Sequence, residues 1–196
     1  MSTVLEVVAA PYTLYLAPVD TEFPTLDEVP HSSDGWIMVG TSGALNYNDK
    51  GVTVTHDQKI SEFIPAGGTA ARKAWRTEEH LTIDLELVDL SPAQYALILN
   101  DAAVTQHAAG VGHVGYDEFP LLQGLTVANF ALVARGLSPL LDGGISQYQV
   151  PIVYQAASPA PVGTKGTPAF LAVQFAALAD NASGFGDRLD QSAEAS

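Results

Sequence analysis

Cysteine is absent from this 196-residue chain, which excludes a disulfide scaffold, a thiolate nucleophile and a cysteine-based zinc site. Long apolar runs are also missing. The longest, 169–179, is interrupted by Gln174 and is too short to cross a bilayer. The start of the chain holds Glu6 and no Lys or Arg before residue 50, unlike a secretory signal. We therefore expect a soluble protein made inside the cell, without membrane insertion.

Positive charge is scarce as well. Eight Lys and Arg residues stand against 22 Asp and Glu, for a formal net charge of −14. Generic binding to nucleic acid needs basic residues that displace counterions from phosphate, so this composition excludes it. The first 49 residues include seven acidic residues and no basic one, and 77–134 include eight acidic residues and no Lys or Arg. The basic cluster Arg72, Lys73 and Arg76 separates these acidic stretches.

The hydrophobic content of 47% is enough to build a core, and the length favours one domain over residues 1–196. Alternation is clearest in 79–88, where leucines and Ile83 share one face of a predicted strand while Asp84 and Glu86 share the other. Further strands are predicted at 12–16, 36–40, 52–57, 59–64, 126–135, 146–155 and 168–178. Turn sequences at 48–51 and 142–144 predict hairpin connections.

One helix is predicted to follow Ser91, a good N-cap residue, and Pro92, which suits the first helical position. The pattern predicts a mainly β fold: an antiparallel β-sandwich or barrel-like domain with one short flanking α-helix. Three irregular segments extend from it. They are an N-terminal arm (1–35), a long loop with a flexible glycine pair (65–76) and a polar C-terminal extension (180–196).

Few residues offer chemistry. Asp84 and Glu86 would lie about 6.5–7 Å apart on one strand face, near the carboxylate separation of inverting glycosidases. Outward positions of a half-exposed strand are also simply polar, and nothing else marks a sugar site. His107 and His113 flank a glycine-rich segment without a carboxylate at matching spacing, so its glycines are assigned to turns. We predict no catalytic residue, no metal and no cofactor.

The two tryptophans differ in their surroundings. Trp36 begins an apolar strand and is predicted to lie in the core. Trp75 stands among basic residues at the end of the long loop, a composition typical of a protein–protein contact. The alternative for Trp75 is a solvated loop that the ring tethers.

Two stretches resemble the major tail protein, or tail tube protein, of long-tailed bacteriophages. The first is DGWIMVGTSGALNYNDKGVTV, with its tryptophan, glycine and opening strand. The second is ISEFIPAGGTAARKAWRTEEHLTIDLELVDLSPAQYALILN, a strand, long loop, strand and helix with Glu86 and Leu87 before the capped helix. Residues 34–101 carry the resemblance in sequence, and the C-terminal half resembles the family only in topology.

This resemblance implies a β-sandwich or barrel-like subunit, six of which form a ring. Stacked rings would make a hollow tube that conducts DNA from capsid to host cell, without the DNA sticking to it. The implied location is the virion tail, after synthesis in the host cytoplasm. Other tail proteins, namely the tape measure, terminator and distal tail proteins, are the implied partners. In the family, the position of 65–76 contacts adjacent subunits or rings, and the two terminal segments add contacts.

Ring closure and stacking both need one patch to meet a different patch on a neighbour. A basic loop on an acidic body supplies such a pair, in which charge sets register and Trp75 supplies affinity. The loop residues predicted to make this contact are Gly67, Gly68, Arg72, Lys73, Trp75 and Arg76. The acidic residues predicted to receive them are Asp20, Glu22, Asp27 and Glu28. Asp84 and Glu86 are the candidates for an acidic lumen wall that repels the duplex.

Three alternatives stay open. Another tail ring protein, such as a terminator or distal tail protein, would stop at a single ring. A ligand-binding β-sandwich would line a groove with exposed aromatic side chains. An acidic hydrolase would use Asp84 and Glu86.

Overall fold

The computed structural model describes residues 10–161, 163–166 and 168–193. Its strands are β1 (Thr13–Pro18), β2 (Ile37–Met38), β3 (Thr53–Phe63), β4 (Lys73–Leu87), β5 (Thr105–His107), β6 (Tyr116–Glu118), β7 (Asn129–Leu137), β8 (Ile145–Gln155), β9 (Leu171–Ala177) and β10 (Asp187–Asp190). The helix α1 (Pro92–Ile98) follows β4, and short 3-10 helices span Ser32–Asp34 and Gly43–Asn46. Within these ranges, no helix is both long and apolar enough to cross a membrane.

Eight strands form one antiparallel sheet in the order β2-β1-β7-β8-β9-β4-β3, with β10 paired to β8. Strands β5 and β6 form a separate pair. Pro151 lies in β8 where a bulge interrupts the pairing with β7 and where the other neighbour changes from β10 to β9. Proline cannot donate a ladder hydrogen bond, so this position suits it. The predicted mainly β, antiparallel fold with one short helix is confirmed.

The core lies under the alternating apolar residues of β4. Leu81, Ile83, Leu85 and Leu87 are buried, as the alternation predicts. They pack with buried side chains from β1, β7, β8 and β9, among them Leu14, Leu132, Val150 and Phe175. A second, smaller cluster places Trp36 against Ala131 and Val133 of β7. Trp36 is therefore a core residue, as predicted.

The segment after β2 closes the sheet around this core. The amide of Val39 donates to the carbonyl of Leu14 at 2.9 Å, and Tyr47 forms an antiparallel bridge with Leu87. The buried Tyr47 hydroxyl accepts from the amide of Leu14 at 3.1 Å and donates to the carbonyl of Val39 at 2.8 Å. Burial raises the pKa of Tyr47, so the phenol remains a neutral donor.

The largest difference from the predicted elements concerns β3 and β4. Predicted strands 52–57 and 59–64 are one continuous strand, and β4 begins at Lys73 instead of 79. Lys73, Trp75 and Arg76 therefore lie in a strand, and the assignment of 73–76 to a loop is wrong. These residues are exposed on both faces of their strand, so no apolar alternation marks them in the sequence.

Smaller differences concern turns and short strands. The turn at 48–51 exists, but it is not a hairpin, because β2 pairs with β1 and β3 pairs with β4. The hairpin at 142–144 is confirmed by the pairing of β7 with β8, and Gly143 has a φ of +76° that favours glycine. Strands β5, β6 and β10 are three or four residues long, too short to give a repeating pattern.

We expect Tyr47→Phe to lower the free energy of unfolding by about 1–3 kcal/mol, because two buried backbone groups lose their partner. Tyr116→Phe is the matched control, since Tyr116 is 55% exposed, and should change the value by less than about 0.5 kcal/mol. Urea denaturation followed by circular dichroism measures both variants. Equal values for the two would contradict the closing role of the Tyr47 hydroxyl.

Candidate functional site

Strands β3 and β4 continue past the core as a two-stranded antiparallel hairpin. Their pairing runs from Thr53 opposite Asp84 to Phe63 opposite Lys73. No side chain in 56–80 is buried, and we call these residues the ribbon. An isolated two-stranded hairpin is marginally stable in water. The buried half of β4 therefore anchors the ribbon, while the ribbon itself packs on no core.

The ribbon exposes large apolar side chains. Trp75 is 46% exposed, and Ile60, Phe63 and Ile64 are exposed to a similar extent. The register places Trp75 opposite Ser61 and Phe63 opposite Lys73. Since alternate residues of a strand share a face, the two aromatic rings lie on the same face as diagonal neighbours. Contiguous exposed apolar surface of this kind marks an interaction site.

The predicted basic cluster divides into two parts. Arg76 donates to Gln58 at 2.9 Å and forms an ion pair with Glu79 at 3.1 Å. Arg72 and Lys73 form no ion pair with any residue that the structure describes. The end of the ribbon, residues 63–75, which we call the ribbon tip, therefore carries two cations that are available to another molecule.

The glycine pair lies at the end of the ribbon, as predicted. The amide of Gly68 donates to the carbonyl of Pro65 at 2.8 Å, which closes a turn. A Cβ atom on Gly67 would meet nothing within 4 Å. The amide of Arg72 donates to the carbonyl of Phe63 at 2.9 Å and closes the loop. Gly67 is thus open to an approaching surface.

The described part of the predicted N-terminal arm does not project from the domain. Residues 19–36 lie on the outer face of β1 and β7, opposite the main core. Trp36 is 2% exposed, its indole N–H donates to the carbonyl of Glu22 at 3.2 Å, and its ring lies 5.7 Å from that of Phe23. The rest of the predicted arm, residues 1–9, lies outside the described residues.

Polar side chains from β7 and β8 hold this segment by its backbone. The buried Gln147 donates to the carbonyl of Pro24 at 2.8 Å and accepts from Arg135 at 2.8 Å. Arg135 also donates to the carbonyl of Leu26 at 2.6 Å. Nothing in the sequence marks Gln147 as a buried residue, because it is a polar residue that follows another polar residue, Ser146. We call Gln147 and Arg135 the clamp, and no sequence pattern predicts it.

The predicted acidic residues lie on this segment, and the structure separates them into two pairs. Asp20, Glu22, Asp27 and Glu28 are all exposed. Glu22 and Glu28 line a groove of about 450 Å³, which Asp20 and Asp27 do not. Asp34, which was not among the predicted contact residues, also lines it. We call this the acidic groove; it also includes the apolar side chains of Phe23, Val29 and Trp36.

Asp84 and Glu86 share the outer face of β4, as predicted, and both are half-buried. Asp84 accepts from Gln174 at 2.6 Å. Glu86 forms an ion pair with Lys50 at 2.8 Å and accepts from the amide group of Asn48. Both carboxylates are therefore engaged in hydrogen bonds or ion pairs with neighbouring polar side chains of the sheet and its preceding turn. In the described part of the chain, no group of three or more His, Asp or Glu residues is placed to hold a metal.

The predicted turn role of the glycines near His107 and His113 agrees with the structure. Gly110 and His113 form an antiparallel bridge, and Gly112 has a φ of +79°. His107 stacks on Tyr116 at 4.3 Å and contacts Glu118 at 3.1 Å across the β5–β6 pair. These contacts hold the small hairpin together.

A second exposed surface surrounds that hairpin and was not singled out from the sequence. We call residues 103–127 the flap. It exposes six large aliphatic residues, Val111, Val114, Leu121, Leu122, Leu125 and Val127. One sequence feature could have indicated this surface. Residues 103–127 contain many leucines and valines among glycines and polar residues, and these apolar residues follow neither a strand nor a helix period. Such a surface is expected where another chain packs.

The described part of the predicted C-terminal extension is bound by its own chain. β10 pairs with β8 along Ser146–Gln149. Arg188 forms an ion pair with Asp190 at 2.9 Å and lies over the ring of Tyr148 at 5.3 Å. Residues 194–196 lie outside the described residues.

The chain matches no protein-family model. It also has no significant match among curated proteins.

We expect the two tryptophans to differ sharply in their contribution to folding. Trp36→Ala should lower the free energy of unfolding by about 3–5 kcal/mol, as for other buried aromatic residues. Trp75→Ala should change it by less than about 0.5 kcal/mol, because its ring packs on no core. Urea denaturation measures both, and acrylamide quenching of each single-tryptophan variant checks exposure. A large loss of stability in Trp75→Ala would mean that the ribbon is part of the folding unit.

Proposed function

We propose that the chain is a structural virion protein, a subunit of hexameric rings that stack into the hollow tail tube of a long-tailed bacteriophage. The tube would conduct DNA into the host cell, and the chain would have no catalytic role. The ribbon is the observation that carries this proposal. It is an antiparallel pair of strand segments that extends past the core, and its side chains are exposed on both faces.

The exposed apolar residues of the ribbon support a role in assembly. Monomeric proteins rarely leave large apolar patches in water. The ribbon exposes two aromatic rings on one face, and the flap exposes six aliphatic side chains. Neither surface belongs to the main core, which is formed by side chains elsewhere in the sheet and in α1. Contacts with further copies of the chain would bury them.

The arrangement of charge supports a repeating, head-to-tail assembly. The available cations lie at the ribbon tip, whereas the acidic groove lies on residues 19–36. Two different patches on one chain form a heterologous interface, which closes into a ring or propagates as a filament. A tube of stacked rings uses interfaces of this kind in both directions.

The acidic surface also suits a channel for DNA. A wall that neutralised phosphates would bind the duplex and slow its passage. The outer face of β3 and β4 carries the carboxylates of Asp57, Glu78, Asp84 and Glu86 against the ammonium groups of Lys50 and Lys59. This part of the face is therefore negative overall, and we propose that it lines the lumen, whereas Phe63 and Trp75 farther along the same face contact another copy.

The test of the proposed function is electron microscopy of the purified full chain at increasing concentration. We expect uniform hollow tubes by negative staining. Phe63→Ala combined with Trp75→Ala should raise the concentration needed for assembly at least about 30-fold, because a central aromatic contact contributes about 2 kcal/mol or more. Circular dichroism should show that the variant remains folded.

Two results would count against a tail tube, and a third would count against the role of the ribbon in its assembly. A single closed ring that never stacks would indicate a terminator or distal tail protein. A protein that stays monomeric at every concentration would contradict the proposal. If the double alanine variant formed tubes equally well, the two aromatic rings of the ribbon would not be part of the assembly surface.

We expect Asp84→Lys to leave tube formation intact and to slow DNA ejection by phage that carry the variant. The added cation would face the duplex and attract its phosphates. Asp142→Lys, in the exposed turn between β7 and β8, is the control of equal charge change. Rates of DNA release measured by dye fluorescence distinguish the two. An unchanged rate for Asp84→Lys would contradict a lumen position for this face.

A further inference from the structure

We infer that the acidic groove of one copy receives the ribbon tip of a second copy, with Arg72 and Lys73 facing Glu22 and Glu28. This inference rests on the proposed self-assembly and names the two surfaces that meet. It follows from the shape, charge and rigidity of the groove and from the composition of the tip.

The groove combines an acidic rim with apolar walls. Glu22, Glu28 and Asp34 supply the carboxylates, while Phe23 and Val29 supply apolar contact surface. Val29 is 66% exposed, although an aliphatic side chain gains by burial. A volume of about 450 Å³ accommodates several side chains of a partner. The groove thus offers both attraction for cations and surface for an apolar contact.

The groove is held in shape before any partner arrives. Gln147 and Arg135 bind the carbonyls of Pro24 and Leu26, and the indole of Trp36 binds the carbonyl of Glu22. These bonds restrain the backbone on which Glu22 and Glu28 stand. A preformed site loses less conformational entropy on binding than a flexible one. The clamp from β7 and β8 therefore favours docking as well as folding.

The ribbon tip has the complementary composition. Arg72 and Lys73 supply two positive charges, and Phe63, Ile64 and Trp75 supply exposed apolar surface. Arginine and aromatic residues are the types most often found at the energetic centre of protein interfaces. The open position at Gly67 allows the backbone of the tip to approach a groove closely.

The distribution of charge favours the ribbon tip over the rest of the surface as the contact with a second copy. Two copies of a chain with net charge −14 repel each other unless opposite charges meet. Among the described residues, four basic side chains form ion pairs with carboxylates of their own chain: Lys50, Lys59, Arg76 and Arg188. Lys165 has no other basic residue beside it in the chain. Arg135 is bound to backbone carbonyls. The tip is the place where two available cations stand side by side.

The groove is not occupied by the ribbon of its own chain. Among the described residues, no hydrogen bond, ion pair or strand pairing joins 56–80 to 19–36. Glu22 and Glu28 are exposed, and so are Arg72 and Lys73. A second copy can therefore fill the groove with its tip, and the pair of copies then retains one free tip and one free groove for further copies.

The first experiment neutralises the groove. Glu22→Gln with Glu28→Gln should raise the concentration needed for assembly about tenfold or more, by loss of two partly desolvated charge pairs. Asp20→Asn with Asp27→Asn is the matched control, since it removes the same charge from the same segment outside the groove. Asparagine also tolerates the φ of +69° at position 20. We expect less than about a twofold change for the control.

The second experiment exchanges the charges between two variants. Arg72→Glu with Lys73→Glu, and Glu22→Lys with Glu28→Lys, should each fail to assemble alone. An equimolar mixture should assemble, because each tip then meets a groove of opposite charge. A mixture of the first variant with Asp49→Lys and Asp142→Lys controls for attraction between chains of different net charge. That control pair should not restore assembly of the first variant.

The outcomes separate this inference from the proposed function. If the wild-type chain forms tubes but the groove variants behave like their controls, the tip docks elsewhere and this inference is wrong. If the wild-type chain forms no rings or tubes, the proposed function itself fails. Circular dichroism and the emission of Trp36 establish that each variant is folded.

Discussion

Burial of the alternating apolar side chains in the second half of β4 is the interaction on which the rest of the structure depends. These residues hold β4 in register with β9 on one side and β3 on the other. A shift of one residue would turn Asp84 and Glu86 into the core, which is prohibitively unfavourable. The register is therefore set inside the domain and transmitted along the hydrogen-bond ladder to the ribbon. The ribbon, which has no core of its own, therefore projects from the domain in a defined direction.

A second constraint acts on the opposite face of the sheet. Residues 19–36 carry several acidic side chains and two prolines, a composition that favours an extended chain in solvent. The structure retains them on the sheet because Gln147 and Arg135 bind the backbone carbonyls of the segment and Trp36 packs on β7. Gln147 is buried and Arg135 is half-buried, and both form hydrogen bonds, so the contact does not carry the cost of unpaired polar groups. The result is a rigid groove with exposed carboxylates.

Several features were predictable because each depends on neighbours along the chain. The alternation in 81–87 indicated a half-buried strand, Ser91 and Pro92 indicated a helix start, and the different surroundings of the two tryptophans separated the buried ring from the exposed one. The ribbon was not recognised as paired strands, because both faces of 73–80 are exposed and show no apolar period. The basic residues near the glycine pair were recognised, but their pairing was not. Whether Arg76 is available depends on Glu79 and Gln58, which only the strand geometry places beside it.

By itself, the sequence determined the composition of the surfaces: an acidic body, scarce positive charge concentrated in one place, no cysteine chemistry, and enough alternating apolar residues for a β core. The tertiary structure decided which of those residues are available to another molecule. It paired Arg76 while leaving Arg72 and Lys73 unpaired among the described residues, and it directed Glu22 and Glu28 into a groove while leaving Asp20 and Asp27 outside. The physical reason is that charge and hydrophobicity are properties of single residues. Availability depends on contacts between residues that are distant in the chain, and only folding forms those contacts.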